Sequence, residues 1–411
     1  MQQPLVFILA GGEGVRLSPL TEHRAKPAVP FAGRYRLIDV AISNALKKGY
    51  KNIFALTQFK GQFLDEYILN AYEGKVFSLS STTNPYLGTA DAIRKNLPLL
   101  ESYNTEYVII LSGDQLYSMD LDQMLSSFID KNAELMIATL PINEQEAKRM
   151  GVMKIDSEGK ITNFIEKPQT LEVLDKFSLS PKRSGKILPI NEKVFLGSMG
   201  IYIFKKSILI SLLKNHKGAD FGMHIIPEQL KREKNFAYIF DGYWEDIGTV
   251  KAYFNANLKL LENRQSLNIF GENLALVTEK ISLPPALIED CLIKKTIFAD
   301  GCYIQAKEIS YSLIGMNTKV GKGSVLSGVL SLGSLDKKNT TIIGENCYLK
   351  NVIIDENATI ENGVCLSLDQ KFVSDVDFGP VCVKDGIIIV KKGATVPKNF
   401  LLEGEKIRLT A

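Results

Sequence analysis

Over the first two thirds of the chain, short apolar runs alternate with amphipathic stretches. Val6 to Leu9, Asn52 to Leu56, Val76 to Leu79, Val108 to Leu111 and Leu135 to Thr139 read as strands, because short apolar runs suit a sheet buried on both faces. Between them, helical spacing of apolar positions covers Leu37 to Lys48, Phe63 to Tyr72, Thr89 to Leu100 and Leu121 to Lys131. This alternation predicts an α/β fold, a Rossmann-like mostly parallel sheet with helices on both faces and ligands at the carboxyl ends of its strands. From Gly151 the pattern becomes hairpin-like, with Val152 to Ile155 and Ile161 to Glu166 around Ser157-Glu158-Gly159, and it returns to sheet at Met199 to Phe204. Leu171 to Lys193 reads as a polar, partly irregular insertion. A helix from Val250 to Glu262, with Thr249 as N-cap, closes the unit.

The period then changes. Ser266 to Pro285 reads as a linker, and beyond it Ile314-Gly315, Val320-Gly321, Ile343-Gly344, Leu349, Ile354 and Ile360 recur mostly at six residues. One aliphatic residue per short face is the pattern of a left-handed parallel β-helix; ordinary strands joined by turns are the competing reading. The domains expected are therefore 1–265, a linker at 266–285, and a β-helix at 286–411. The spacing slips by one between Leu349 and Ile354, and Ser331 to Thr341 reads as an inserted loop. The ends of such a coil cannot complete their own core, so subunit contacts are expected there.

Composition narrows the chemistry. The 411 residues carry 49 basic and 46 acidic side chains, a net charge of +3 too balanced to suggest nucleic acid as a partner. No apolar run reaches the 18 residues of a membrane span, and the start Met1-Gln2-Gln3-Pro4 has no basic region followed by a long apolar one, so the expected location is the cytoplasm, away from membranes. Five cysteines, all in the last third, form no C-x-x-C pair and are expected as buried free thiols. With only three histidines, the chemistry has to run on carboxylates, Lys and Arg.

Those groups gather around a few stretches. After the strand Val6 to Leu9, Gly11, Gly12 and Gly14 let the backbone turn with its N–H groups free, and Arg16, Arg24 and Lys26 follow, so an anion cradle is succeeded by cations. A third dinucleotide-fingerprint glycine is replaced by Leu17, and the Gly-Lys-Ser/Thr of a P-loop is absent. Tyr107 to Asp114, YVIILSGD, reads as a buried strand ending in a carboxylate; Asp114 either caps the helix that follows or offers a hard oxygen to Mg²⁺. A second carboxylate comes from Trp244-Glu245-Asp246-Ile247-Gly248, where Glu245 and Asp246 compete. Glu166 and Lys167 stand at a strand end just before Pro168, and on the residues alone they read as a solvated ion pair.

The stretch from Val6 to Phe31 resembles the signature of sugar-1-phosphate nucleotidyltransferases, and RAKPAVPFAGRYRLIDVAISN, from Arg24 to Asn44, is similar to the form in glucose-1-phosphate adenylyltransferases, the ADP-glucose pyrophosphorylases. The resemblance implies transfer of AMP from ATP to glucose 1-phosphate, with pyrophosphate leaving, for glycogen or starch synthesis. It implies catalytic roles for Arg16, Lys26 and Asp114, and Mg²⁺ held by Asp114 and Asp246. Ala10, Gly11, Gly12, Gln58, Gly88 and Thr89 would bind nucleotide, with Gln58 reading a base edge. Tyr86, Gly151, Glu166, Lys167 and Ser198 would bind the sugar phosphate. Phosphorylated or nucleotide effectors at His23, Arg24, Lys384 and Lys392, and a homotetramer, are implied in the same way. Glu13, Val15, Pro85 and Leu87 depart from the commonest forms of the motifs. A relative using UTP, dTTP or GTP and a non-catalytic regulatory subunit are the alternatives; a hexapeptide acyltransferase would want a histidine in the coil, and all three lie before residue 225.

Overall fold

The computed structural model describes residues 3–81, 84–179, 193–262, 267, 269, 276–334, 339–368, 375–403 and 406–409. A nine-stranded sheet organises the first 262 residues. Strands Val76–Ser80, Asn52–Thr57, Leu5–Ala10 and Tyr107–Ser112 lie side by side and parallel. Beyond them the long strand Phe195–Lys205 runs antiparallel to Tyr107–Ser112 and Leu135–Ile142, and the hairpin Gly151–Ile155 and Ile161–Glu166 adds to it. Asn235–Ile239 completes the sheet, parallel to Leu135–Ile142.

The apolar runs are continuous because both faces are covered. Val6, Ile8, Ile109, Leu111, Met136 and Ala138 enter one core, while Leu5, Phe7, Val108, Ile110, Leu135 and Ile137 enter the other. Burying a side chain of this size contributes roughly 1.5–3 kcal/mol, so the alternation fixes the register of each strand firmly. Leu37–Lys47, Leu121–Asp130 and Val250–Glu262 cover the first face, and Thr89–Arg94 and Lys206–Asn215 the second. The helix expected from Thr89 to Leu100 is two, Thr89–Arg94 and Leu97–Ser102. Pro98 explains the break: it has no N–H to give the preceding turn, and its ring clashes with the carbonyl four residues back. Thr249 caps the last helix, its Oγ1 accepting from Ala252 N at 3.1 Å.

Most of the Leu171 to Lys193 insertion lies outside the described residues, apart from a short helix at Leu171–Asp175. The first part of the linker and residues 335–338 of the Ser331 to Thr341 loop also lie outside them. The later linker is irregular chain held to the N-terminal unit: Val277 N donates to Ser43 Oγ, and Val277 O accepts from Tyr72.

The C-terminal part is a three-faced coil of short parallel strands. Leu287–Ile288 pairs with Tyr303–Ile304, and the same face continues through Thr318–Val320, Thr341–Ile343, Thr359–Ile360 and Thr395–Val396. The periodic aliphatics Ile314, Val320, Ile343, Leu349, Ile354 and Ile360 all point into one buried core. The slip after Leu349 has a local cause: Tyr348–Ile354 is one strand that turns a corner at Asn351, whose φ is +53°, and sends Val352 inward as well. The hairpin formed by Val381–Lys384 and Ile387–Val390 interrupts the coil without any hexapeptide signal, and Ile388–Val390 then rejoins the third face beside Val352–Ile354. All five cysteines are free; Cys302, Cys347 and Cys382 are buried, and Cys291 and Cys365 partly so.

The coil docks on the N-terminal unit. Leu313, Leu330, Ile353 and Ile389 share a core with Tyr253, Phe254 and Leu260 of the helix Val250–Glu262. Met316 N donates to Gly33 O at 3.1 Å, and Arg34 pairs with Asp300. No helix among the described residues is long and apolar enough to cross a membrane.

Candidate active site

The glycine loop leaves the carboxyl end of Leu5–Ala10 and folds back over Lys26. Gly14 sits at φ +66°, and a Cβ there would stand 2.7 Å from Lys26 Cβ, so no other residue fits without displacing the lysine. A cavity of about 260 Å³ opens beneath the loop, lined by Ala10, Gly11, Gly12, Gln58, Tyr86, Gly88, Thr89, Lys26 and Asp114 among others. A second cavity of about 280 Å³, lined by Gly12, Gly14, Arg16, Lys26, Asp114 and Gly248, adjoins it and shares Gly12, Lys26 and Asp114. The first is walled largely by small and apolar residues, the second by charge.

Lys26 Nζ lies 2.7 Å from Asp114 Oδ2 and 3.7 Å from Asp246 Oδ1. Burial lowers the Lys26 pKa, but Asp114 and Asp246 outweigh it and hold the ammonium above its ordinary value. Burial likewise raises Asp114, yet Lys26 and the hydroxyl of Ser112 leave this carboxyl below the usual range. The two aspartates meet because Gln115–Tyr117 pairs antiparallel with Trp244–Asp246, with Asp246 opposite Gln115. This two-stranded ribbon was not legible in the sequence. Its strands are three residues long, and 126 residues lie between Tyr117 and Trp244, far beyond local turn signals.

The ribbon also separates the competing roles. Asp114 does not cap a helix, since a strand follows it and Asp120 caps Leu121–Asp130 by accepting from Gln123 N. Glu245, on the opposite side of its strand from Asp246, takes Lys259 Nζ at 2.9 Å and Tyr243 OH at 2.7 Å. Glu245→Gln is therefore expected to leave turnover within a few-fold, and Asp246→Asn to lower it by about tenfold or more, as for loss of preorganised charge. Steady-state rates of the two variants check this, and the opposite ranking would move the ion-holding role to Glu245.

On the other side of the cleft, Glu166 packs so closely on Gly151 and Gly222 that a Cβ at either would stand 2.7 Å or 2.3 Å from Glu166 Oε2. Burial raises the Glu166 pKa, Asp220 adds to this, and Lys167 only partly offsets it. Lys167 Nζ is 3.4 Å from Glu166 Oε1 and half exposed, and its backbone takes φ +48°. A lysine in that region costs about 1 kcal/mol or more, which the following Pro168 and a 3.1 Å bond from Lys167 N to Met150 O have to hold in place. Ser198 lies at an irregularity of Phe195–Lys205, its hydroxyl accepting from Gly200 N at 3.3 Å. Among the described residues no side-chain contact joins Lys167 directly to Asp114. The link is indirect: Thr89 Oγ1 donates to Asp220 Oδ2 at 3.0 Å, and Ala219 O accepts from Ala90 N and Asp91 N.

Tyr86, expected beside the sugar phosphate, lines the glycine-loop cavity together with Gln58. Gln58 has both ends of its amide on the Tyr86 backbone, its Oε1 accepting from Tyr86 N and its Nε2 donating to Tyr86 O, so it shapes the wall. Glu13 and Leu87 are exposed, pointing their departures from the common motif outward, whereas Val15, also exposed, lines the charged cavity. Of the residues expected to bind effectors, His23 is exposed, Lys384 pairs with Asp375 at 2.9 Å, and Lys392 with Glu356 at 3.0 Å. Arg24 is buried against Asp355 at 2.6 Å and Glu356 at 3.5 Å.

Two carboxylates converging on one cation offer hard oxygens of the kind Mg²⁺ prefers. No cluster of three or more His, Cys, Asp or Glu suited to a metal occurs among the described residues, so a divalent ion here would complete its shell with substrate oxygens and water.

A nucleotidyl transferase family model matches residues 5–263, more than half of the chain, and the chain belongs to that family. Residues 282–401 match the GLGC left-handed parallel β-helix domain, which gives the coil its hand. The protein is thus a nucleotidyltransferase carrying a β-helix domain of that type.

Proposed function

We propose that this protein is a glucose-1-phosphate adenylyltransferase, forming ADP-glucose and pyrophosphate from ATP and α-D-glucose 1-phosphate. The observation that carries the reading is the convergence of Lys26, Asp114 and Asp246 where a small-residue cavity meets a charged one. The first has the walls for a base and ribose, and the second has Arg16, Lys26 and the free N–H groups of the loop for phosphates.

Electrostatics dictates the mechanism. The phosphate of the sugar is an anion and has to approach the α-phosphorus of another, so cations and alignment matter more than acid or base groups. Arg16 and Lys26 neutralise the triphosphate and the departing pyrophosphate, and Lys167 holds the sugar phosphate in line as a point charge. Mg²⁺, held by Asp114 and Asp246, would add positive charge between the reacting phosphates. Glu166, facing Gly151 and Gly222, accepts sugar hydroxyls. One phosphoanhydride replaces another, so the reaction is readily reversible.

Homotetramer formation and regulation by phosphorylated or nucleotide effectors belong to the same proposal. An interdomain cavity of about 470 Å³, lined by Arg36, Tyr67, Ser334, Glu356, Asn357 and Lys392 among others, supports the latter.

The test is pyrophosphate release from glucose 1-phosphate with Mg²⁺ and, in turn, ATP, UTP, dTTP and GTP. ATP is expected to support the fastest turnover. Preference for another nucleotide would reassign the enzyme within its family, and no turnover with any would favour a regulatory subunit.

A further inference from the structure

Gln115 begins the ribbon that brings Asp246 to Asp114, and its side chain reaches Gly200 in the irregular stretch of Phe195–Lys205. Its side chain is buried, and its Oε1 accepts from Trp244 Nε1 at 3.1 Å. An indole N–H can only donate, so the amide oxygen has to face the tryptophan and the NH₂ has to face away. That NH₂ is aimed at Gly200: a Cβ at position 200 would stand 3.5 Å from Gln115 Nε2. Among the described residues no group accepts a hydrogen bond from it. A donor held in place by the indole, beside Gly200 and one residue from Asp114, is placed to meet an acceptor brought by a ligand.

We propose that Gln115 is a specificity-determining residue of the sugar side, donating from Nε2 to an oxygen of the bound sugar 1-phosphate while Trp244 locks the amide. The inference rests on the sugar-phosphate reading of this cleft. It assigns two separate tasks: Trp244 fixes which end of the amide faces the cleft, and Gln115 makes the contact.

The chain has one tryptophan, so its emission reports on the surroundings of this indole and of no other. Gln115→Leu removes both the donor and the indole's acceptor, and Trp244→Phe keeps an aromatic ring but frees the amide to turn. In Gln115→Leu, KM for glucose 1-phosphate is expected to rise about tenfold, the worth of one hydrogen bond, with KM for ATP within twofold. Tryptophan emission should shift in the same variant with unchanged thermal unfolding. Trp244→Phe should raise the same KM by a smaller factor, and the double variant should show little beyond Gln115→Leu. An unchanged sugar-phosphate KM, or equal rises for both substrates, would overturn the proposal in favour of a merely structural amide. A wild-type enzyme that prefers another nucleotide or sugar 1-phosphate would overturn the proposed substrates and leave the Gln115 comparison intact on its own substrate; a wild type binding no sugar phosphate overturns both.

Discussion

Asp114→Asn is expected to lower turnover with ATP and glucose 1-phosphate by roughly a hundredfold or more, the scale seen when one preorganised charge or donor is removed at a reacting centre. Asparagine keeps the volume and can still accept from Lys26 Nζ, which stands 2.7 Å from Asp114 Oδ2. What disappears is the negative charge. Asp246 alone then faces Lys26 and any divalent ion, and being nearly half exposed it is the weaker electrostatic partner. The variant should therefore need far more Mg²⁺ to reach its reduced maximum rate, while the apolar cavity around Gly88 and Gln58 still takes nucleotide. Initial rates across a Mg²⁺ titration measure this, alongside ATP binding to the folded protein. Turnover within about threefold of wild type would remove Asp114 from the ion-holding role.

Much of this site could be read from the chain because its parts are local. A strand, three glycines and the cations after them occupy Val6 to Lys26, and a short-range pattern suffices to place a glycine loop and its cations at a strand end. The hexapeptide aliphatics likewise announce a coil, since each inward residue repeats with the face it fills. What escaped is non-local. The ribbon of Gln115–Tyr117 and Trp244–Asp246 has no hydrophobic period of its own, yet it chooses Asp246 over Glu245. Gln115 lies next to an aspartate that was singled out, but its meaning depends on an indole 129 positions away. Arg24 reads in sequence as one more cation near a phosphate loop; tertiary packing turns it from the cleft into the domain junction. The break at Asn96 was missed because amphipathic spacing continued through Pro98, and the rigid ring overrode the period.

Glu356→Gln is expected to lower folding stability by about 3 kcal/mol at neutral pH, because it strips one carboxylate from a buried cluster of cations. Glu356 takes Arg36 at 3.3 Å, Lys392 at 3.0 Å and Arg24 at 3.5 Å, and the two arginines are almost wholly buried. Several of their nitrogens, Arg24 Nε and Nη1 and Arg36 Nε, have no hydrogen-bond partner among the described residues, so the charge of the carboxylates is the main compensation these cations have there. Burial pushes the Glu356 pKa up, but Arg24, Arg36 and Lys392 together bring it from 4.5 down to about 2. The sign follows: a carboxyl depressed by folding stabilises the native state fully above pH 4.5, and that contribution fades as pH falls toward 2. Wild type should lose stability over that interval, and Glu356→Gln should lose less, having less to give up. Denaturant midpoints at pH 7 and at pH 4 and below make the comparison. Equal midpoints for the two proteins at pH 7 would show that the cluster holds nothing together. The clamp also reaches the chemistry, since Arg24 and Lys26 share one short segment, with Asp355 and Glu356 of the coil gripping one and Asp114 and Asp246 the other. Loosening the junction frees the segment that carries the Lys26 ammonium, so a drop in turnover accompanying the loss of stability is the expected sign that the β-helix helps to position Lys26.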